Sequence, residues 1–158
     1  MRRWQGQLGA LILACAPWAA LDASELLPAA DLRAEAGQAA RAGGPLIVIY
    51  SRADCKFCQT IKREHLEPMA REPQPGKRFV IREIGQNRAA PLSDFKGRPT
   101  THAAFAAAEK VKLVPVVAFY GPDGRKLAEP IVGARLPDFY QSYLDDAIEQ
   151  STRQLRTR

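Results

Sequence analysis

The chain has 158 residues and is 46% hydrophobic, which suits one domain with a single packed core. Its three cysteines are too few for a scaffold of several structural disulfides. The formal net charge of +6 is spread along the chain, with one tight basic cluster at Arg153, Arg156 and Arg158. That pattern fits a solvated helix end and argues against a nucleic-acid partner.

The chain opens Met1-Arg2-Arg3-Trp4, continues through an apolar run from Leu8 to Ala16, and reaches small residues at Ala19, Ala20 and Ala23. This is the order of a secretory signal, with cleavage expected near Ala20 or Ala23. The run is shorter than the roughly 20 residues that a membrane-spanning helix needs. Cys15 invites a second reading, as the lipid-bearing cysteine of a lipoprotein, but Leu13 and the short run before it fit that reading poorly. The expected division is a signal over residues 1–23 and one domain over residues 24–158, exported to an oxidising compartment, and only Cys55 and Cys58 remain after cleavage.

Residues 24–44 place Leu32, Ala36, Ala39 and Ala40 at helical spacing and end at Gly43-Gly44, so a first amphipathic helix is predicted there. Pro45 to Tyr50 is a continuous apolar run rich in β-branched residues, the pattern of a strand buried on both faces. From Cys55 to Glu72 the helical period returns, with Phe57, Ile61, Leu66 and Met69 apolar and Lys62, Arg63, Glu64 and Glu67 polar, and with a kink expected at Pro68. A strand over Phe79 to Ile84, an irregular connection over 85–98 and a helix from Thr101 to Lys110 follow. Val114 to Tyr120 and Lys126 to Val132 are predicted to form a hairpin across the turn Gly121-Pro122-Asp123-Gly124. The last helix, about Pro137 to Arg153, is expected to turn Phe139, Tyr143, Leu144 and Ile148 to one face. The order αβαβαββα specifies an α/β sandwich with a mixed central β-sheet flanked by helices.

The stretch Asp54-Cys55-Lys56-Phe57-Cys58-Gln59 carries the chemistry. A dithiol catalyst needs one thiolate to attack a partner's disulfide and a second thiol close enough to resolve the mixed disulfide. Cys55 falls at the expected helix start, where free amides and the helix dipole stabilise a thiolate, and Cys58 falls one turn inside. The assignment is therefore Cys55 attacking and Cys58 resolving, with Lys56 and Phe57 beside them as candidate substrate-contacting positions. Lys56 and Asp54 act in opposite directions on the acidity of Cys55.

A CxxC pair can also be half of a zinc site or a small structural staple. Zinc needs two more ligands, and His65 and His102 have no paired spacing, so no metal is expected there. Gln59 stands where covalent haem attachment requires histidine, and no cofactor is implied. His65 and His102 are read as ordinary helix-surface and helix-start residues. A disulfide closing so small a loop constrains the unfolded chain little, which favours redox use over a staple.

Over roughly residues 45–150 the sequence resembles the thioredoxin superfamily. The resemblance is carried by the strand Leu46 to Tyr50 ahead of the CxxC pair, by Lys112-Leu113-Val114-Pro115-Val116-Val117-Ala118-Phe119, and by Val132-Gly133-Ala134 before the last helix. It implies a thioredoxin fold in which Pro115 is a cis-proline facing the cysteines and Val114 presents backbone groups to a substrate chain. Two positions depart from thioredoxins proper: Ile49 replaces the buried aspartate and Asp54 the tryptophan before the first cysteine. The missing acid leaves open how Cys58 loses its proton.

The details look most like small bacterial periplasmic thioredoxin-like proteins, including those of sulfur-oxidation systems and the catalytic domains of periplasmic disulfide isomerases. The expected activity is a periplasmic thiol:disulfide oxidoreductase that reduces disulfides of exported proteins. A disulfide oxidase or isomerase, or a soft-metal module holding Cu(I), are the alternatives. Residues 24–44 are too few for an isomerase's dimerisation domain, so a monomer is expected. Its partners would be an exported protein with a disulfide and an electron donor such as a membrane thiol-disulfide transporter.

Overall fold

The computed structural model describes residues 26–72, 75–134 and 137–157. The expected signal segment, Cys15 within it, and Arg158 lie outside the described residues. Strand β1, Leu46–Ser51, is buried at every position and forms the centre of the sheet. It pairs in parallel with β2, Val80–Gly85, and antiparallel with β5, Val116–Tyr120, which in turn pairs antiparallel with β6, Ile131–Val132. The order β2-β1-β5-β6 is the expected mixed sheet.

Because side chains alternate along a strand, β1 feeds two cores. Ile47 and Ile49 join Ile61, Leu66, Met69, Tyr140, Leu144 and Ile148 on one face. Leu46, Val48 and Tyr50 join Leu32, Ala36, Ala39, Phe105 and Ala106 on the other. The first layer is built by α2, Lys56–Ile61, α3, Glu67–Arg71, and α5, Tyr140–Arg156; the second by α1, Leu32–Ala42, and α4, His102–Ala108.

Five expectations are corrected in detail. The first helix does not span 24–44: Asp31 caps it by accepting the Ala34 amide at 2.9 Å, and Gly43 ends it at φ 92°. Residues 27–29 lie along β2, where the Ala29 amide donates to the Glu83 carbonyl and the Glu83 amide to the Leu27 carbonyl. Pro28, which cannot donate to a ladder, sits in that edge segment. It shields the β2 edge of the sheet.

The single helix expected from Cys55 to Glu72 is divided ahead of Pro68. Lys62–Leu66 forms a π-helical turn in which the Glu67 amide reaches the Lys62 carbonyl, because Pro68 offers no N–H to the turn before it. Connection 85–98 is not wholly irregular: β3, Pro91–Ser93, pairs antiparallel with β4, Pro99–Thr101. The second strand of the hairpin is interrupted, with Lys126 bridging Tyr120 and regular pairing only at Ile131–Val132. Finally, Pro137–Phe139 is a 3-10 turn, so the α-helix starts later: Leu144 and Ile148 are buried as expected together with Tyr140, whereas Phe139 and Tyr143 are exposed.

Candidate active site

The C-terminal end of β1 delivers the chain through Arg52-Ala53-Asp54 to Cys55, which caps α2 from an extended backbone (φ −96°, ψ 103°). Its sulfur accepts the Cys58 amide at 3.1 Å, so a sulfur takes the place that a serine or aspartate oxygen fills at ordinary helix starts. Cys55 and Cys58 are joined as a disulfide with their Cα atoms 5.2 Å apart. Cys55 is partly exposed, whereas Cys58 is fully buried.

Charge around Cys55 is more balanced than Asp54 alone suggests. Arg52 forms a two-pronged ion pair with Asp54, Nε to Oδ1 at 3.0 Å and Nη2 to Oδ2 at 2.8 Å. That hydrogen bonding holds the Asp54 carboxyl below its usual pKa, and the guanidinium offsets its charge. Lys56 and Phe57 are exposed beside the cysteines, and Phe57 is an apolar surface residue there.

A second loop faces the first. The Val114-Pro115 peptide bond is cis, and the Val114 carbonyl oxygen lies 4.0 Å from the Cys55 sulfur. The Gly133 amide donates to the Pro115 carbonyl at 2.8 Å, tying the segment before the last helix to this loop. Gly133 holds φ 78°, a conformation that a side chain would strain. Leu113 and Val132 add exposed apolar surface beside the loop. Gln86 spans the two halves: its amide donates to the Ser51 carbonyl at 2.8 Å, and its side-chain Nε2 donates to the Val111 carbonyl at 3.0 Å.

Beneath the helix start lies a buried ion pair that sequence spacing did not expose. Lys62 Nζ is 3.0 Å from Glu83 Oε1, and the Ser51 hydroxyl donates to the same oxygen. Lys62, read from sequence as part of the polar face, is only 4% exposed, and Glu83 only 6%. The signal was present but weak: Glu83, beside Arg82, interrupts the apolar run of its strand.

The two histidines lie apart from the cysteines' loops. His65 packs against Tyr140 with ring centroids 5.0 Å apart, its Nδ1 within 3.2 Å of Gln141 Oε1. His102 is buried at the start of α4, its Nδ1 accepting the Gly85 amide and its Nε2 donating to the Ala29 carbonyl. Among the described residues no three His, Cys, Asp or Glu side chains group as a metal site.

A family model described as a thioredoxin-like domain matches residues 32–148. The chain belongs to the thioredoxin-like family. Two solved structures share its fold. The oxidised thioredoxin O2 of Arabidopsis thaliana aligns with a TM-score of 0.51 and 16% identity over 78% of this chain and 94% of its own. A DsbH oxidoreductase aligns with a TM-score of 0.51 and 15% identity over 90% of this chain and 95% of its own. No curated protein matches the chain. A thioredoxin-like fold carrying a bonded CxxC pair at a helix start supports thiol–disulfide exchange as its general chemistry.

Proposed function

We propose that the protein is a periplasmic thiol:disulfide oxidoreductase that, in its dithiol form, reduces disulfides of other exported proteins. One observation carries the reading: a partly exposed Cys55 at a helix start, bonded to a fully buried Cys58 and faced by the Val114 carbonyl. Cys55 is the attacking thiolate, favoured by the helix start and the Cys58 amide. Cys58, out of reach of a large partner, resolves the mixed disulfide. Val114 and Pro115 hold the partner's chain, and Phe57 and Lys56 flank it.

The export half of the reading rests on Arg2, Arg3, the Leu8 to Ala16 run and the small residues at Ala20 and Ala23. An exported product beginning at Leu21 or Ser24, measured by intact mass, supports it; a lipid adduct on Cys15 would show an anchored form instead.

The direction of electron flow is tested by equilibrating the pair with glutathione redox buffers. A potential near the about −270 mV of thioredoxins supports reduction, whereas a value as oxidising as about −120 mV makes the protein an oxidase.

A further inference from the structure

Cys58 is fully buried, so the thiol that must ionise to complete exchange has no direct route to bulk water. Burial also disfavours a thiolate, and the step needs a nearby group to take the proton. The buried polar residues described are Ser51, Lys62, Glu83, Asp94, His102 and Ser151. Asp94 is committed to the turn it forms with Lys96 and Arg98, His102 to Gly85 and Ala29, and Ser151 to the Ala147 carbonyl. The remaining three form one cluster beneath the cysteine-bearing helix.

Its placement follows from the backbone. Lys62 stands one helical turn after Cys58, its amide donating to the Cys58 carbonyl, and residues so spaced have Cβ atoms about 5–6 Å apart. Ser51 is the last residue of β1, just ahead of the cysteine loop. Glu83 is the register partner of Ile49 and shares the α2-facing side of β2 with Ile81. Lys62 and Ser51 both bond Glu83 Oε1. A buried ion pair is a poor source of stability, since desolvating two charges offsets much of their attraction and an apolar pair would serve the core as well.

Building on the exchange reading above, we propose that Glu83, held in place by Lys62 and Ser51, is the proton acceptor for Cys58. In the first step Cys55 thiolate bonds one partner sulfur, and the partner's S–S bond breaks with its electron pair on the other sulfur. In the second, the Cys58 proton goes to Glu83 and the Cys58 sulfur bonds Cys55. As that bond forms the Cys55–partner bond breaks, and the departing sulfur keeps the pair and takes a proton from water. The partner gains two electrons, and the Cys55–Cys58 disulfide is the oxidised product. Run in reverse, Glu83 returns the proton to Cys58.

The test uses the full reduced chain and an aromatic disulfide reagent whose thiolate is coloured, so that attack by Cys55 releases one equivalent and resolution by Cys58 the second. Glu83→Gln is expected to slow the second release about tenfold or more while changing the first less than about twofold. Its second release should also rise with pH more steeply than the wild type's. Because Glu83→Gln leaves Lys62 buried without its partner, the charge-free double variant Lys62→Met/Glu83→Gln is measured beside it and should show the same selective loss, with Glu83→Asp recovering part of the rate. A folded double variant whose second release keeps the wild-type rate and pH profile overturns the proposal. The reagent is not a protein, so a wild type that completes both releases yet reduces no protein disulfide would defeat the proposed function and leave this assignment standing.

Discussion

The sulfur of Cys55 and the carbonyl oxygen of Val114 face each other at 4.0 Å, although 58 residues separate them in sequence. Gln86 bridges the two segments, its backbone tied to Ser51 ahead of the cysteine loop and its side chain to Val111 ahead of the proline loop. Gln86→Ala should cost about 1 kcal/mol of stability, the usual net worth of such a side-chain hydrogen bond. Its exchange with a protein disulfide should slow more than its exchange with a small disulfide, since only the larger partner uses both loops. Equal slowing of the two, read by parallel kinetics, would remove Gln86 from any role in aligning them.

His102 links three separate parts of the fold. It sits at the first turn of α4, accepts the amide of Gly85 at the end of β2, and donates to Ala29 in the edge segment. His102→Ala leaves the Gly85 amide buried without its partner and opens a void, so a loss of about 2–4 kcal/mol is expected in urea unfolding. A loss below about 0.5 kcal/mol would mean that the edge segment is held by its backbone bonds to β2 alone.

Alkaline pH acts on buried phenols in both core layers. The hydroxyls of Tyr50 and Tyr120 are 2.7 Å apart, and Tyr120 also donates to Glu109, which is paired with Lys126. Burial raises both phenols well above the ordinary 10.0, and Tyr140 is raised by burial too. A raised pKa means that the neutral form is the one the fold favours. Its contribution is therefore complete below pH 10.0 and declines as pH climbs beyond it. Urea midpoints should be level up to that point and then fall, and Tyr50→Phe/Tyr120→Phe should fall less steeply, with Tyr140 keeping part of the loss. A double variant with an unchanged alkaline slope would contradict this.

What could be read from sequence depended on how each feature is encoded. β1 was legible because a strand buried on both faces is written as an unbroken β-branched run, and Cys55 was placed because that run ends just ahead of the motif. Strands β3 and β4 are three residues each, too short to display a period. Leu144 and Ile148 face the core as their spacing predicts, whereas Phe139 and Tyr143 were grouped with them because side-chain period alone does not show that Pro137–Phe139 is a 3-10 turn ahead of α5. Lys62 was counted among the polar residues of its helix because a helical pattern records polarity and carries no trace of a counter-charge 21 residues away on a strand. Only the β1–β2 register, which sets Glu83 against Ile49, reveals that partner.

The central claim, that Cys55 attacks and Cys58 resolves, is tested most directly by mixing reduced chain with a disulfide-bonded protein and following products by intact mass. Wild type should leave the partner reduced and itself oxidised, Cys58→Ala should accumulate a covalent adduct through Cys55, and Cys55→Ser should do neither. Full activity in Cys55→Ser, or an adduct carried on Cys58, would contradict the account.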